Sequence, residues 1–477
     1  FFFGIHGASD IKFLGKDISA DDLFSAEDEN SIAESGFLVS GLKHRLTLGE
    51  KSFLKTVIAG SFSNDAFKLD RIIDLDSPQE RTIRYTETDN SETRFTFSTL
   101  FNTKLSNRTM LRAGVMAENF NIKNLLLHRH EQPDANNDGD PDLNTFRNID
   151  ANLIIVQPYV QGQFRLTEDL TLDTGLHLQY SSLNNQLAVE PRASIDYEIG
   201  NVHRLSAGYG MHHQNIPYPL LFLNEEVNGQ TKQTNKELDF VRSQHYVLGY
   251  DVKLGPKWRG KVELYYQNID KAGVDSFESS YSTITEGADF GFSDDRVSLV
   301  NEGTGYNKGV EITLEKFFSK GYYVLLTGSF FDAKYTGSDE IERNSPFNNQ
   351  YVANILAGKE FVLGKTNERT LFFDTRFTTS GGRYYTPIDL EASREAGYEI
   401  RQNELAYSQQ YDDYLRLDFK FGMKLNRKKT SLQFYVDFQN VTNNKNIFVT
   451  RYNRLTNNVD RVNQIGFFPD FGCKLQF

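Results

Sequence analysis

The chain has 477 residues, a formal net charge of −12 and 39% hydrophobic residues, with a mean hydropathy of −0.51. No stretch approaches the roughly 18 consecutive apolar residues that a membrane helix requires, which excludes a helical membrane protein. The acidic balance, with no basic stripe, excludes nucleic acid as a partner. An average this polar leaves a membrane β-barrel open, because alternation along each strand hides the lipid-facing residues from an averaging window.

Aromatic usage favours strands: 38 Phe and 24 Tyr stand against one Trp, and both strands and membrane girdles select these residues. The first predicted strand covers residues 1–13. Residues 53–62 follow with apolar side chains in both phases. A segment with Tyr246, Leu248, Tyr250, Val252 and Leu254 alternates cleanly. The clearest strand places Leu415, Leu417, Phe419, Phe421, Met423 and Leu425 on one face and Arg416, Asp418, Lys420, Gly422 and Lys424 on the other. Leu432, Phe434, Val436 and Phe438 continue the pattern. At the end, Phe467, Pro469, Phe471, Cys473, Leu475 and Phe477 oppose Asp470, Gly472, Lys474 and Gln476. A single Cys473 forms no internal disulfide, and its face assigns it to lipid.

The connections sort into two kinds. Short, turn-rich ones fall at 49–51, 106–108, 167–169, 200–202, 255–257, 319–321, 365–368 and 426–429. Long ones fall at 17–34, 128–147, 214–236, 274–295, 337–349 and 381–411, with brief outer connections near Ser77 and Asn184. Successive connections of an antiparallel barrel lie on opposite rims, so the short turns share the periplasmic rim, together with Phe477, and the long loops are extracellular. The fold class expected is all-β: a transmembrane antiparallel barrel of the outer-membrane type, with about 18 strands in this chain.

Among local motifs, Asp134, Asn136, Asp138, Asp140 and Asp142 place oxygen ligands around Gly139 in the pattern of a calcium loop. Thr145 stands where a full EF-hand has its bidentate Glu. Calcium in this extracellular loop is the metal expectation, set against a solvated acidic turn. His128 with His130, and His212 with His213, are weaker candidates for a transition metal or a metal chelate. Gly303, Thr304, Gly305 and Gly309 lack the spacing of a nucleotide loop. No G-x-S-x-G element is present, and no catalytic residue is expected. The 381–411 loop, with Arg383, Tyr384, Tyr385, Asp389 and Arg394, is long enough to act as a lid or to touch a ligand.

The run at 301–318, from Asn301-Glu302-Gly303 through Lys308-Gly309-Val310-Glu311-Ile312 to Phe318, resembles a known family together with Glu190-Pro191-Arg192, the 437–443 segment and the terminal Phe477. The likeness is to the barrel of TonB-dependent outer-membrane transporters, and within them to the Bacteroidetes branch. It implies a barrel of about 22 strands filled by a plug, residence in the outer membrane, and uptake of a scarce solute driven through TonB. Residues 1–477 are then one barrel domain, with the plug, the TonB-contacting segment and about four strands expected upstream of Phe1. Lipid, lipopolysaccharide and a surface lipoprotein or larger outer-membrane complex are the other partners implied. The alternative is a transporter-derived barrel serving as a structural subunit of a secretion or assembly complex, with a passive porin third.

Overall fold

A computed structural model describes residues 1–17, 27–129, 134, 139–287, 293, 295–364, 368–454 and 456–477. One antiparallel sheet of 19 strands dominates it. Leaving aside the three-residue strand Glu342–Asn344, the other 18 build the wall. They are β1 (Phe2–Leu14), β2 (Glu29–Leu48), β3 (Ser52–Ile73), β4 (Arg81–Lys104), β5 (Thr109–His128), β6 (Asn144–Arg165), β7 (Leu170–Ser181), β8 (Gln186–Ile199) and β9 (His203–Gln214). The wall continues with β10 (Val241–Lys253), β11 (Trp258–Val274), β12 (Val300–Ser319), β13 (Tyr322–Thr336), β14 (Tyr351–Leu363), β15 (Arg369–Ser380), β16 (Tyr414–Asn426), β17 (Ser431–Gln439) and β18 (Phe468–Gln476). Each strand pairs with the next in sequence. Among the described residues β1 bonds only to β2, and β18 only to β17.

The short connections at 49–51, 106–108, 167–169, 200–202, 255–257, 319–321 and 426–429 fall where the turn residues place them, residues 365–367 of the remaining one lie outside the described residues, and Gly49 and Gly200 supply the positive φ of their turns at 71° and 59°. Two differences from the sequence reading concern the outer side. Strands β2, β3 and β4 run for 20, 22 and 24 residues, well beyond the roughly 9–11 that cross a membrane. Their outer parts stand in water, where neither face must be apolar. The polar residues Glu29 to Glu34 were therefore expected in a loop, yet they pair in register with Arg71 to Ala66. The second difference is a long outer connection at 440–467, not anticipated, which carries its own hairpin of Ile447–Asn453 and Asn458–Asn463.

Register turns the alternation into two faces. Phe373, Phe419, Phe421, Phe438 and Phe467 form an outward ladder of rings: Phe373 lies 5.7 Å from Phe419 and 4.9 Å from Phe421, Phe421 lies 6.3 Å from Phe438, and Phe438 lies 6.1 Å from Phe467, centre to centre. A second outward belt joins Tyr209, Tyr246, Tyr266 and Tyr306 on β9 to β12. Behind the Phe ladder, Asp418 is buried between Arg376 and Arg416, and the Lys420 ammonium lies 3.7 Å from the ring centre of Tyr435. Gly422 and Gly472 keep this inner face passable: a Cβ at either would run into the ring of Phe372 or Tyr435. The mixed phase of residues 53–62 has the same origin. Ile58 and Phe62 point out and are exposed, whereas Phe53 points in and is covered by the Arg45 guanidinium at 4.1 Å.

The outer loops fold over the mouth and are tied to one another. The apolar run around helix α1 (Tyr218–Leu221) packs Leu220, Leu221, Phe222 and Leu223 against Phe120, Ile122, Leu153 and Ile155 on the inner faces of β5 and β6. Asn235, fully buried, donates to the carbonyls of Leu220 and Arg296 at 2.9 and 2.7 Å and accepts from the Leu299 amide at 3.0 Å, so it joins the 215–240 loop to the 275–299 loop. The 381–413 loop contains helix α2 (Leu390–Ala396), capped by Asp389 and ended by Gly397. Its Tyr385 and Tyr411 rings stack at 4.0 Å, and the Tyr411 hydroxyl accepts from the Thr450 amide of the 440–467 loop at 3.0 Å. Arg454 in turn reaches Asp28, 426 positions away in sequence, at 2.6 Å. The sheet thus curls far enough for its last loop to meet its first.

Two outcomes test this arrangement. Phe421→Arg is expected to cost about 2–4 kcal/mol at mid-membrane depth, and Lys420→Gln much less. Denaturant titration of the protein refolded in vesicles measures both, and equal costs would overturn the assignment of faces. Asn235→Ala removes the side-chain partner of the Arg296 carbonyl and of the buried Leu299 amide and is expected to cost about 1–3 kcal/mol of local stability. Hydrogen exchange reads this as lost protection in both the 215–240 and 275–299 loops; a change confined to one loop would show that they are not coupled.

Candidate functional site

The inner wall below the loop cap holds a recess of about 700 Å³ on β6 to β10, lined among others by Tyr159, His177, Arg192, Gly208, His212 and His245. It follows from register. One row of inward positions reads Gln161, Gly175, Arg192, Gly210, His245, Gln267 and Asn307 across β6 to β12. The two glycines flank Arg192, so no side chain stands beside its guanidinium in that row. In the neighbouring row on β8 and β9, Ser194 lies opposite Gly208, whose missing side chain also opens into the recess.

One carboxylate and two carboxamides orient the ring and guanidinium groups. Glu190 is buried, and its carboxylate accepts from His177 Nδ1 at 2.8 Å, from Arg192 at 2.7 Å and from the His213 amide at 2.6 Å. A carboxylate only accepts, so His177 carries its proton on Nδ1 and presents Nε2 elsewhere. On the other side, Asn307 donates to the Gln267 carbonyl at 2.7 Å, which turns the Gln267 amide nitrogen toward His245 Nε2 at 3.2 Å. His245 Nε2 is then an acceptor, and its proton resides on Nδ1. The His212 and His245 rings meet edge to face at 5.0 Å. The wall therefore offers a half-exposed guanidinium, an imidazole N–H and several neutral polar groups without a catalytic dyad.

Two of the motif segments singled out in the sequence converge here: Glu190 and Arg192 from one, Asn307 from the other. His212 lines the recess, whereas His213 packs against Phe240 and bonds Glu190 through its backbone. His177 and His245 were missed. They sit in the inward parity of strands whose other parity carries Leu176 or Tyr246 and Leu248, and that alternation is the signal that finds them. His128 stacks edge-on to Tyr85 and Phe146, and His130 lies outside the described residues.

In the acidic loop, Asp140 is buried and receives both terminal nitrogens of Arg81, and Asp134 accepts from the Gly139 amide at 2.9 Å. Asp142 adjoins this pair, and Asn136 and Asp138 lie outside the described residues. Among the described residues no three His, Cys, Asp or Glu side chains are grouped to hold a metal ion. In the 381–413 loop, Tyr384 bonds Gln350 at 3.0 Å and Arg394 bonds the Asn457 carbonyl at 2.9 Å, so these residues tie loops together.

Residues 14–468 match the family model described as "TonB dependent receptor-like, beta-barrel". The pyoverdine outer membrane receptor FpvA of Pseudomonas aeruginosa superposes with a TM-score of 0.67 at 13% identity, covering 99% of this chain and 68% of that one. The ferric preacinetobactin receptor BauA of Acinetobacter baumannii gives 0.62 at 12%, covering 95% and 64%. The ferric-catecholate import receptor Fiu of E. coli gives 0.59 at 11%, covering 94% and 63%. The chain thus spans somewhat less than two thirds of the length of Fiu and BauA. No curated protein matches it significantly in sequence. With its 18-strand wall, two-sided register and family match over 14–468, the chain belongs to the TonB-dependent receptor β-barrel family of the bacterial outer membrane.

Proposed function

We propose that this barrel is the wall and external receptor of a TonB-dependent importer, which captures a scarce solute beneath its outer loops and passes it to the periplasm. The observation that carries the reading is the inward fold of the loops. Leu220 to Leu223 bury themselves on the luminal wall, and neighbouring loops are bonded to one another across the mouth. A passive pore gains nothing from closing its own entrance, whereas a receptor needs a shaped, mostly enclosed site.

FpvA, BauA and Fiu are named as receptors for pyoverdine, ferric preacinetobactin and ferric catecholates, which supports an iron chelate, among iron chelates, cobalamin, oligopeptides and glycans, as cargo here. TonB acts through the N-terminal region of the complete protein, lipopolysaccharide surrounds the outer aromatic belt, and a surface lipoprotein is a proposed partner at the loops. Bacteroidetes-type membership rests on the motif segments alone. Calcium in the 134–142 loop, with Asp134, Asn136, Asp138, Asp140 and Asp142 as its candidate donors, stays a proposal carried by the sequence pattern, and Asp140 faces Arg81.

The reading is tested in cells carrying the full-length protein, grown under separate limitation for iron, cobalamin, peptides and glycans. Deleting the barrel gene and deleting TonB are expected to produce the same growth defect in at least one condition. A defect of the barrel deletion that TonB deletion does not reproduce would overturn it.

A further inference from the structure

We propose that the periplasmic rim of β10 to β14 binds the phosphate headgroup of an anionic phospholipid of the inner leaflet, through Lys257, Lys316, Lys320 and Lys359 between the rings of Trp258 and Tyr322. The site lies on the lipid-facing side of the wall and is independent of the cargo and of the importer reading. Three observations carry it.

First, like charges converge without a counter-ion. Lys316 is buried near the end of β12, where the carbonyls of Phe317, Ser319 and Tyr322 hold its ammonium at 3.3, 3.1 and 2.9 Å and the Ser319 hydroxyl at 3.0 Å. The charges that bear on it are those of Lys257, Lys320 and Lys359. Lys359 on β14 brings its own ammonium to the Lys320 carbonyl at 3.1 Å, and the Lys257 carbonyl accepts from the Phe317 amide at 2.9 Å, so β14 and two turns meet here. On the periplasmic half of β10 to β15 no described outward position holds a carboxylate, and Glu315 and Glu360 occupy inward ones. A buried cation among like charges is costly, and an anion from outside the chain relieves it.

Second, the cluster faces lipid at headgroup depth. Lys316 stands opposite Trp258, and Lys359 stands between Tyr322 and Phe373 of the outward ladder. Trp258 is the single Trp of the chain, and outward Trp and Tyr mark the membrane–water boundary. The ammonium of Lys316 lies 3.4 Å from the ring centre of Tyr322, and that of Lys359 lies 5.5 Å from it. Long cationic side chains at this depth turn their charge toward the headgroups. The lumen, with whatever fills it, is on the other side of the wall.

Third, the two rims differ. At the outer belt the outward bases are spent: Arg242 pairs with Asp270 at 2.8 Å, Lys308 with Asp332 at 3.6 Å and Lys334 with Glu342 at 3.0 Å. The periplasmic cluster stays basic in a chain of net charge −12. Lys320 also takes φ 53° beside Gly321 at 74°, in a two-residue hairpin whose first position favours Asn or Gly. Turn geometry alone does not call for a lysine there.

The probe is brominated phosphatidylglycerol, carried as a minor fraction in phosphatidylcholine vesicles that hold the full-length protein. Brominated phosphatidylcholine at the same fraction is the control. Quenching of Trp258 fluorescence is read as the difference from Trp258→Phe. Phosphatidylglycerol is expected to quench more strongly, and its advantage to shrink as salt is raised. Lys320→Asn, which suits the turn, and Lys359→Gln are each expected to lower that preference about fivefold, and the double variant further. Lys334→Gln at the outer belt is expected to leave it unchanged. Gel mobility of unheated samples reports folding, and if the double variant fails to fold, Lys320→Asn decides alone.

Equal quenching by the two lipids, or a preference that survives the charge-removing variants, would overturn the proposal. So would loss of the preference on adding sodium phosphate at an ionic strength where sodium chloride has no effect, since the site would then hold free phosphate. The readout involves neither cargo nor TonB, so its failure is distinct from a failure of the importer reading.

Discussion

Backbone hydrogen bonding in a medium without water governs this molecule. Every N–H and C=O within the bilayer must find a partner inside the protein, and a continuous antiparallel sheet is one of two ways to achieve it. Once the strands are paired, side-chain direction is no longer free: register assigns each residue to lipid or lumen for the full height of the wall. Phe421 and Asp418 lie three positions apart on β16 and illustrate the result. One stacks against Phe373 among exposed rings, the other is buried between two arginines. Sliding β16 by one residue would exchange these environments and expose carboxylates and ammonium groups to lipid.

The same constraint builds the recess. Residues that are far apart in sequence, from Gln161 to Asn307, become one horizontal row because neighbouring strands are locked in register. Row neighbours then set one another's protonation and orientation. Asn307 fixes Gln267, Gln267 fixes the tautomer of His245, and Glu190 fixes both His177 and Arg192. A buried carboxylate is costly unless its acceptor sites are filled, and Glu190 is surrounded by donors from three strands, β7, β8 and β9. The arrangement is rigid because it is held by the wall rather than by a loop.

What the sequence disclosed and what it withheld follow from the same physics. The turns were legible because Gly49 and Gly200 occupy conformations that other residues resist, and because turn residues announce themselves locally. The membrane-spanning halves of strands such as β16 were legible because lipid enforces strict alternation. Outside the bilayer that enforcement ends. Glu29 to Glu34 read as loop although they continue β2, and the 440–467 connection, flanked by the short strands β17 and β18, went unrecognised. The apolar run Pro219 to Leu223 lay inside the 214–236 connection with no local pattern to place it, since its partners Phe120 and Leu153 are brought to it by tertiary structure. Of the recess, the Glu190 and Arg192 segment and His212 stood out, but their association with His177 and His245 depended on register, which no local pattern specifies.

The loops solve a different problem from the wall. They lie in water, where neither lipid nor a large apolar core fixes them, yet a receptor must hold them in place over its mouth. Side chains that bond to backbone groups of another loop do this at small cost in apolar surface. Asn235 replaces two carbonyl partners and one amide partner that water would otherwise supply, and Tyr411 serves Thr450 in the same way. Such bonds are individually modest, on the order of 1 kcal/mol each, and that modesty suits the role. A cap tied by a few such bonds is held less firmly than the wall, where strands bonded along their length keep Arg192 and its neighbours in one geometry.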